Sequence, residues 1–200
     1  MKSNIKLFIL IFYFSVKISL VNAQAKNSDN REILNDSRIN PQFAQLIKLF
    51  LDSAEENGFK PFINQGFRTK EEAEIIARRN KKLSKPAAEI SMHSFGIACD
   101  IWLKNDKDEV FSFDTKEYEE NPNSRFSYSK WIKFIKIGEN FGLINGKNHN
   151  DTDHWEYHPN WKKDDWVSAK EYALPIYKKY RKLDEIEILH KIWENAGLSY

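Results

Sequence analysis

Ser91-Met92-His93-Ser94-Phe95-Gly96-Ile97-Ala98-Cys99-Asp100 is the stretch that decides how this chain is read. From residue 96 to 103 the side chains alternate: Ile97, Cys99 and Ile101 point one way and Ala98, Asp100 and Trp102 the other, the period of a half-buried strand. Asp100 therefore stands opposite the aliphatic face, and Cys99 has a packing role. Gly96 lets the chain turn from a loop into this strand, so that His93 and Asp100, seven residues apart, can converge. An imidazole and a carboxylate are two of the side chains that bind zinc. Further on, Asp151-Thr152-Asp153-His154-Trp155-Glu156 supplies a second imidazole with a carboxylate three positions before it.

A catalytic zinc ion typically holds three protein ligands and keeps a fourth position for water. His93, Asp100 and His154 fit that count. A water attacking a carbonyl must lose a proton, which calls for a further carboxylate beside the metal. Asp151 is favoured over Asp153 for this role, because the side chain next to His154 diverges from it while one three residues away can return across a turn. If residues 153–158 form a strand, His154, Glu156 and His158 share a face; Glu156 is then placed to orient a metal-bound imidazole, and His158 is a competing ligand. His154-Trp-Glu-Tyr-His158 is not the helical His-Glu-x-x-His signature, since its glutamate is displaced by one and Pro159 opposes a continuing helix. Cobalt, manganese or iron suit the same ligands. A lone histidine–aspartate pair is more often an ordinary hydrogen-bonded pair, so the metal reading leans on the second cluster and on the N-terminus.

That N-terminus has the form of an export signal over residues 1–23: Lys2 and Lys6, an apolar run over 7–16, and Val21-Asn22-Ala23 as a cleavage site. Lys17 leaves the run short of the ~20 apolar residues of a spanning helix, so no stable membrane insertion is expected after cleavage. The 31 basic and 29 acidic residues become 28 and 29 once the leader's three lysines are removed. A net charge near −1 argues against nucleic-acid binding. The single cysteine excludes an internal disulfide, and stability must come from burial, from an aromatic content of 14% and from any bound metal.

Residues 24–39 read as a flexible polar lead-in. A helix follows from Pro41, with Phe43, Leu46, Ile47, Phe50 and Leu51 on one face and Asn57-Gly58 at its end. A strand is expected over 59–67, and Thr69-Lys-Glu-Glu72 starts a helix running to about 81. The basic run at 78–82 is a solvated, dipole-compensating terminus. A short strand over 110–113, a surface loop over 115–128, a helix over 131–141 and a last strand over 153–158 complete the domain. Helices over 168–180 and 184–195 form a C-terminal extension packed on the same core.

Ser91-x-His93-x-x-Gly96-x-Ala98-x-Asp100 resembles, at every defined position, the signature of the LAS-type zinc peptidases. That family includes the VanY-like D-alanyl-D-alanine carboxypeptidases, the D-alanyl-D-alanine dipeptidases and the phage L-alanyl-D-glutamate endolysins. The likeness extends over roughly Ile39 to Trp161. Gln65-Gly-Phe-Arg-Thr69 looks like the family's Ser-Gly-Tyr-Arg-Ser segment, and Asp151-x-x-His154 is similar to the Asp-x-x-His of the endolysin branch, where the carboxypeptidases generally carry Glu-x-x-His. The resemblance implies His93, Asp100 and His154 as zinc ligands, Asp151 as general base, and Arg68 as an arginine that binds substrate or stabilises the developing oxyanion, a task suited to a fixed fork of donors. Asn145-Gly-Lys-Asn-His149 replaces the family's Trp-Gly-Gly, Asp153 stands where proline commonly precedes the histidine, and Ala73 where glutamine is frequent. These departures bear on specificity rather than on the metal.

The expectation is thus an α+β protein: a small antiparallel sheet bearing the zinc site, packed with helices, comprising a peptidase domain over 40–161 and a helical extension over 162–200. It is expected to be exported to the periplasm or the cell exterior, monomeric, and to hydrolyse peptidoglycan stem peptides as an L-alanyl-D-glutamate endopeptidase. A D-alanyl-D-alanine carboxypeptidase and a non-catalytic wall-binding or structural protein are the alternatives.

Overall fold

The computed structural model describes residues 30–69, 71–73, 75, 91–111, 128–149, 151–162 and 165–200. Among the described residues, five strands, β1 (Pro61–Gln65), β2 (Ala98–Lys104), β3 (Val110–Phe111), β4 (Ile144–Gly146) and β5 (Asp151–Glu156), form one antiparallel sheet in the order β1-β2-β5-β4, with β3 paired to the end of β2. Among the described residues, four helices of known extent accompany it, α1 (Pro41–Glu56), α2 (Tyr128–Glu139), α3 (Ala173–Tyr180) and α4 (Glu185–Ala196), and residues 71–73 and 75 are also helical. The class is α+β, as the sequence indicates.

α1 begins where Asn40 accepts a hydrogen bond from the Phe43 N–H at 2.9 Å and Pro41 takes the first helical position, whose N–H needs no partner. Its buried face, Phe43, Ile47, Phe50 and Leu51, meets the inward side of the sheet. Phe50, Phe134 of α2 and Trp155 of β5 pack with ring centroids 4.6–5.9 Å apart. On β2 the alternation is realised: Cys99, Ile101 and Leu103 are buried, while Asp100, Trp102 and Lys104 are partly exposed.

The segment before α1 departs from the expected flexible lead-in. Residues 30–39 are part of the fold: Arg31–Asn35 form a 3-10 turn, Leu34 and Ile39 are buried in the core, and Asn30 donates to the Ile63 carbonyl. Two aliphatic anchors outweigh the polar residues around them. Residues 24–29 lie outside the described residues, as do the leader, the basic run at 78–82 and the loop at 115–127.

Thr69 and Glu72 form the expected reciprocal cap, Thr69 N–H to Glu72 Oε2 at 2.8 Å and Glu72 N–H to Thr69 Oγ1 at 3.2 Å; residues 76–90, where the helix is expected to run on to about 81, lie outside the described residues. α3 starts at Ala173, later than expected, because Pro175 is tolerated only within a first turn. α4 carries a capping box from Asp184 and Glu187 and ends at Gly197 with φ 85°. Its Trp193 is buried and donates to the Phe95 carbonyl at 2.7 Å, so the C-terminal helices share the core of the sheet.

Gly96 closes the turn before β2 with φ 68°, and a Cβ there would lie 1.8 Å from the Arg38 carbonyl oxygen. Behind it, Asn40 N–H donates to the Gly96 carbonyl at 2.8 Å while its side-chain amide donates to the Ser199 carbonyl at 3.0 Å. Gly96→Ala combines a left-handed backbone with a backbone clash. It is expected to lower the unfolding free energy by at least about 2 kcal/mol, measured by urea denaturation.

Candidate metal centre

His93 sits in the 3-10 turn Met92–Phe95, which Ser91 caps through its hydroxyl and Gly96 terminates. Asp100 lies directly across from His154 in the pairing of β2 with β5. Together these elements bring His93 Nε2, Asp100 Oδ1 and His154 Nδ1 into a triangle with edges of 3.1, 3.1 and 3.2 Å. Both histidines are buried and Asp100 is nearly so.

The proton positions in this triangle follow from its neighbours. His93 Nδ1 is 2.8 Å from the Gly66 carbonyl oxygen, which only accepts, so Nδ1 carries the hydrogen. His154 Nε2 is 2.8 Å from a carboxylate oxygen of Glu156 and donates to it. With both rings neutral, the two inward nitrogens present lone pairs to each other and to a carboxylate oxygen. Three acceptors this close require a cation among them. A tetrahedral ion with ligands at about 2.0–2.1 Å spaces neighbouring ligand atoms about 3.3 Å apart, close to the observed edges. His93, Asp100 and His154 thus form a set that could hold a metal ion.

Without an ion, a proton takes that place. Burial disfavours a charged imidazole, but hydrogen bonds to Asp100 and Glu156 and the charges of both raise His154 to about 10. Burial likewise opposes the Asp100 charge, and the two histidines overcome it, holding the carboxyl well below its usual range. Because the folded pKa of His154 exceeds its ordinary 6.5, this stabilisation is complete below about pH 6.5 and is lost as pH rises through about 10. The metal-free chain is expected to lose up to about 1.4 kcal/mol of stability per pH unit within that window. Saturating zinc should flatten the dependence, since an ion replaces the proton. Denaturant midpoints at several pH values, with and without zinc, check both.

Glu156 is fully buried and bridges two histidines, reaching His154 with one oxygen and, at 3.0 Å, His158 Nε2 with the other; the Val167 N–H also approaches this second oxygen at 3.4 Å. Glu156 therefore has the orienting place that the two-residue spacing suggested. His158, the competing ligand, is held away from the triangle by the same carboxylate and stacks on Trp161.

Asp151 opens β5, half-buried, outside the converging triangle. Its charge acts on Arg68 and on Asp153. Asp153 accepts from the Trp102 indole at 2.6 Å; burial, then the charges of Asp100 and Asp151, raise its carboxyl to about 6. Arg68 follows β1, with Nη2 3.8 Å from Asp100 Oδ2 and a hydrogen bond to Gln65, while its buried Nε has no hydrogen-bond partner among the described residues. Burial lowers its pKa against the pull of Asp100 and Asp151. A lysine-lined concavity of about 550 Å³, with Lys60, Lys104, Lys130, Lys133 and Lys136, contains none of these residues.

β5 is irregular where it carries the site. Its pairing with β4 jumps from Asn145↔Trp155 to Gly146↔Asp151, and the buried Asn145 side chain spans the gap by donating to the carbonyls of Thr152 and His154 at 2.7 and 3.2 Å. Neither Asn145 nor the Gly66 carbonyl was identified from sequence. A strand pattern specifies side-chain alternation but not which backbone oxygen turns towards a ring.

Fold and site together define an α+β domain with a histidine–aspartate–histidine set on an antiparallel sheet that could hold a metal ion. Among solved structures, the chain is similar to a mutant of the vancomycin-resistance D,D-pentapeptidase VanY from the VanB-type resistance cassette, in complex with Zn(II). The two are 19% identical with a TM-score of 0.40, over 76% of this chain and 83% of that one. No family model matches the sequence, and no curated protein matches it.

Proposed function

We propose that this chain is an exported zinc peptidase that hydrolyses peptide bonds in the stem peptides of peptidoglycan. The observation that carries the reading is the triangle of His93 Nε2, Asp100 Oδ1 and His154 Nδ1, three potential ligand atoms within 3.2 Å of one another. These residues would hold zinc. Bound there, zinc supplies Lewis acidity that activates water and polarises a carbonyl.

The protein's own groups do the rest. Asp151 accepts the proton released as water attacks and passes it to the leaving amine. Arg68 offers fixed donors to the developing oxyanion or to a substrate carboxylate. Gly66 and Glu156 hold the two imidazoles in the tautomers that leave one nitrogen of each unprotonated. The substrate class comes from the resemblance of Ser91–Asp100 and Asp151-x-x-His154 to the LAS-type peptidases, whose endolysin branch shares the aspartate and favours L-alanyl-D-glutamate endopeptidase specificity.

A D-alanyl-D-alanine carboxypeptidase is the second reading, and Arg68 favours it: a half-buried guanidinium beside the metal set, its Nε unpartnered among the described residues, suits a terminal carboxylate. Mass spectrometry of products from intact peptidoglycan and from free pentapeptide separates the two. Cleavage within cross-linked stems supports the endopeptidase, and release of terminal D-alanine the carboxypeptidase. A zinc-loaded chain that cleaves neither overturns the proposal in favour of a non-catalytic wall protein. Export is proposed on the form of residues 1–23; no helix among the described residues is long and apolar enough to cross a membrane.

A further inference from the structure

Trp166 contacts one of the metal-binding imidazoles yet is absent from the core. Its ring centroid is 5.0 Å from His154 at an interplanar angle of 34°, and 4.8 Å from His149 at 57°. It is only half-buried, and it belongs neither to the hydrophobic core nor to the apolar side chains packed against that core. Leaving part of an indole in contact with water forgoes burial that the core would provide.

The chain on either side is pinned. Asp165 accepts from the exposed His149 at 2.8 Å and from Lys162 at 2.9 Å. Val167 is buried in the core, and its N–H points at the Glu156 carboxylate that orients His154. The indole is thereby held in place from both sides, a requirement for a surface that recognises shape.

We propose that Trp166 and His149 form an aromatic side wall of the metal centre that takes an apolar or planar group attached next to the metal-binding function of a ligand. In a stem peptide this group is the side chain of a residue flanking the scissile bond, an assignment that rests on the peptidase reading. The C-terminal segment is then a determinant of specificity and not an accessory packed at a distance.

The test uses the full chain loaded with zinc and two small hydroxamates, acetohydroxamate and benzohydroxamate, which share a metal-binding head and differ in the group beside it. The native chain should bind benzohydroxamate more tightly by about tenfold or more. Trp166→Ala should remove most of that preference while changing acetohydroxamate affinity less than about twofold, Trp166→Phe should restore it, and zinc content should be the same in all three. Unchanged discrimination in Trp166→Ala overturns the wall. So does an equal loss for both probes with loss of zinc, which would make Trp166 only a support for His154, and so does failure of the native chain to bind either probe. Discrimination without hydrolysis of any stem peptide retains the wall and overturns the peptidase.

Discussion

Replacing His154 with alanine is expected to weaken zinc binding on the order of 10²–10³-fold and to abolish hydrolysis at any zinc concentration below saturation. A protein-bound zinc ion is worth ~10–16 kcal/mol spread over its ligands, so each ligand accounts for about 3–4 kcal/mol. His93→Ala should behave alike, because its Nε2 is an equal corner of the triangle. His158→Ala is the discriminating control: this histidine is as buried but stands outside the triangle, against Trp161 and the far oxygen of Glu156. Elemental analysis after dialysis, with competition against a chromophoric chelator, measures all three. Stoichiometric zinc in His154→Ala, or its loss only in His158→Ala, would reassign the site.

Asp151→Asn should separate binding from chemistry. Asp151 stands outside the triangle, so zinc content and unfolding midpoint are expected to stay near the native values while kcat falls about 10²–10⁴-fold, the usual contribution of a positioned general base. Asp153→Asn is the comparison, since that carboxylate is already engaged by the Trp102 indole. It should retain most of its turnover. The reverse pattern, an inactive Asp153 variant beside an active Asp151 variant, would exchange their roles.

The parts of this molecule that the sequence revealed are those set by short-range periodicity. Cys99 and Ile101 share a face on paper as they do in β2, and the facing positions of His154 and Glu156 follow from a spacing of two. Whether the third histidine of that series joins the metal is a different matter, because Glu156 has two oxygens and only tertiary packing decides what the second one meets. The irregularity in β5 depends on an asparagine from another strand, and the position of Trp166 on a segment that reads only as the start of a helical extension packed on the core. Polar composition around Leu34 and Ile39 concealed two core residues, since composition averages over the side chains that matter.

Asn40 has a consequence for the order of folding. Its backbone holds the turn that presents His93 and its side chain holds Ser199, so residues 40, 96 and 199 meet at one point. Contacts between such distant positions close the largest loops in the chain and form late. The ion therefore enters a cage whose back wall is among the last parts assembled. Zinc uptake during refolding should mark completion of the fold instead of nucleating it, and a chain interrupted short of residue 199 would meet the metal with the Asn40 side chain behind the binding turn deprived of its carbonyl partner.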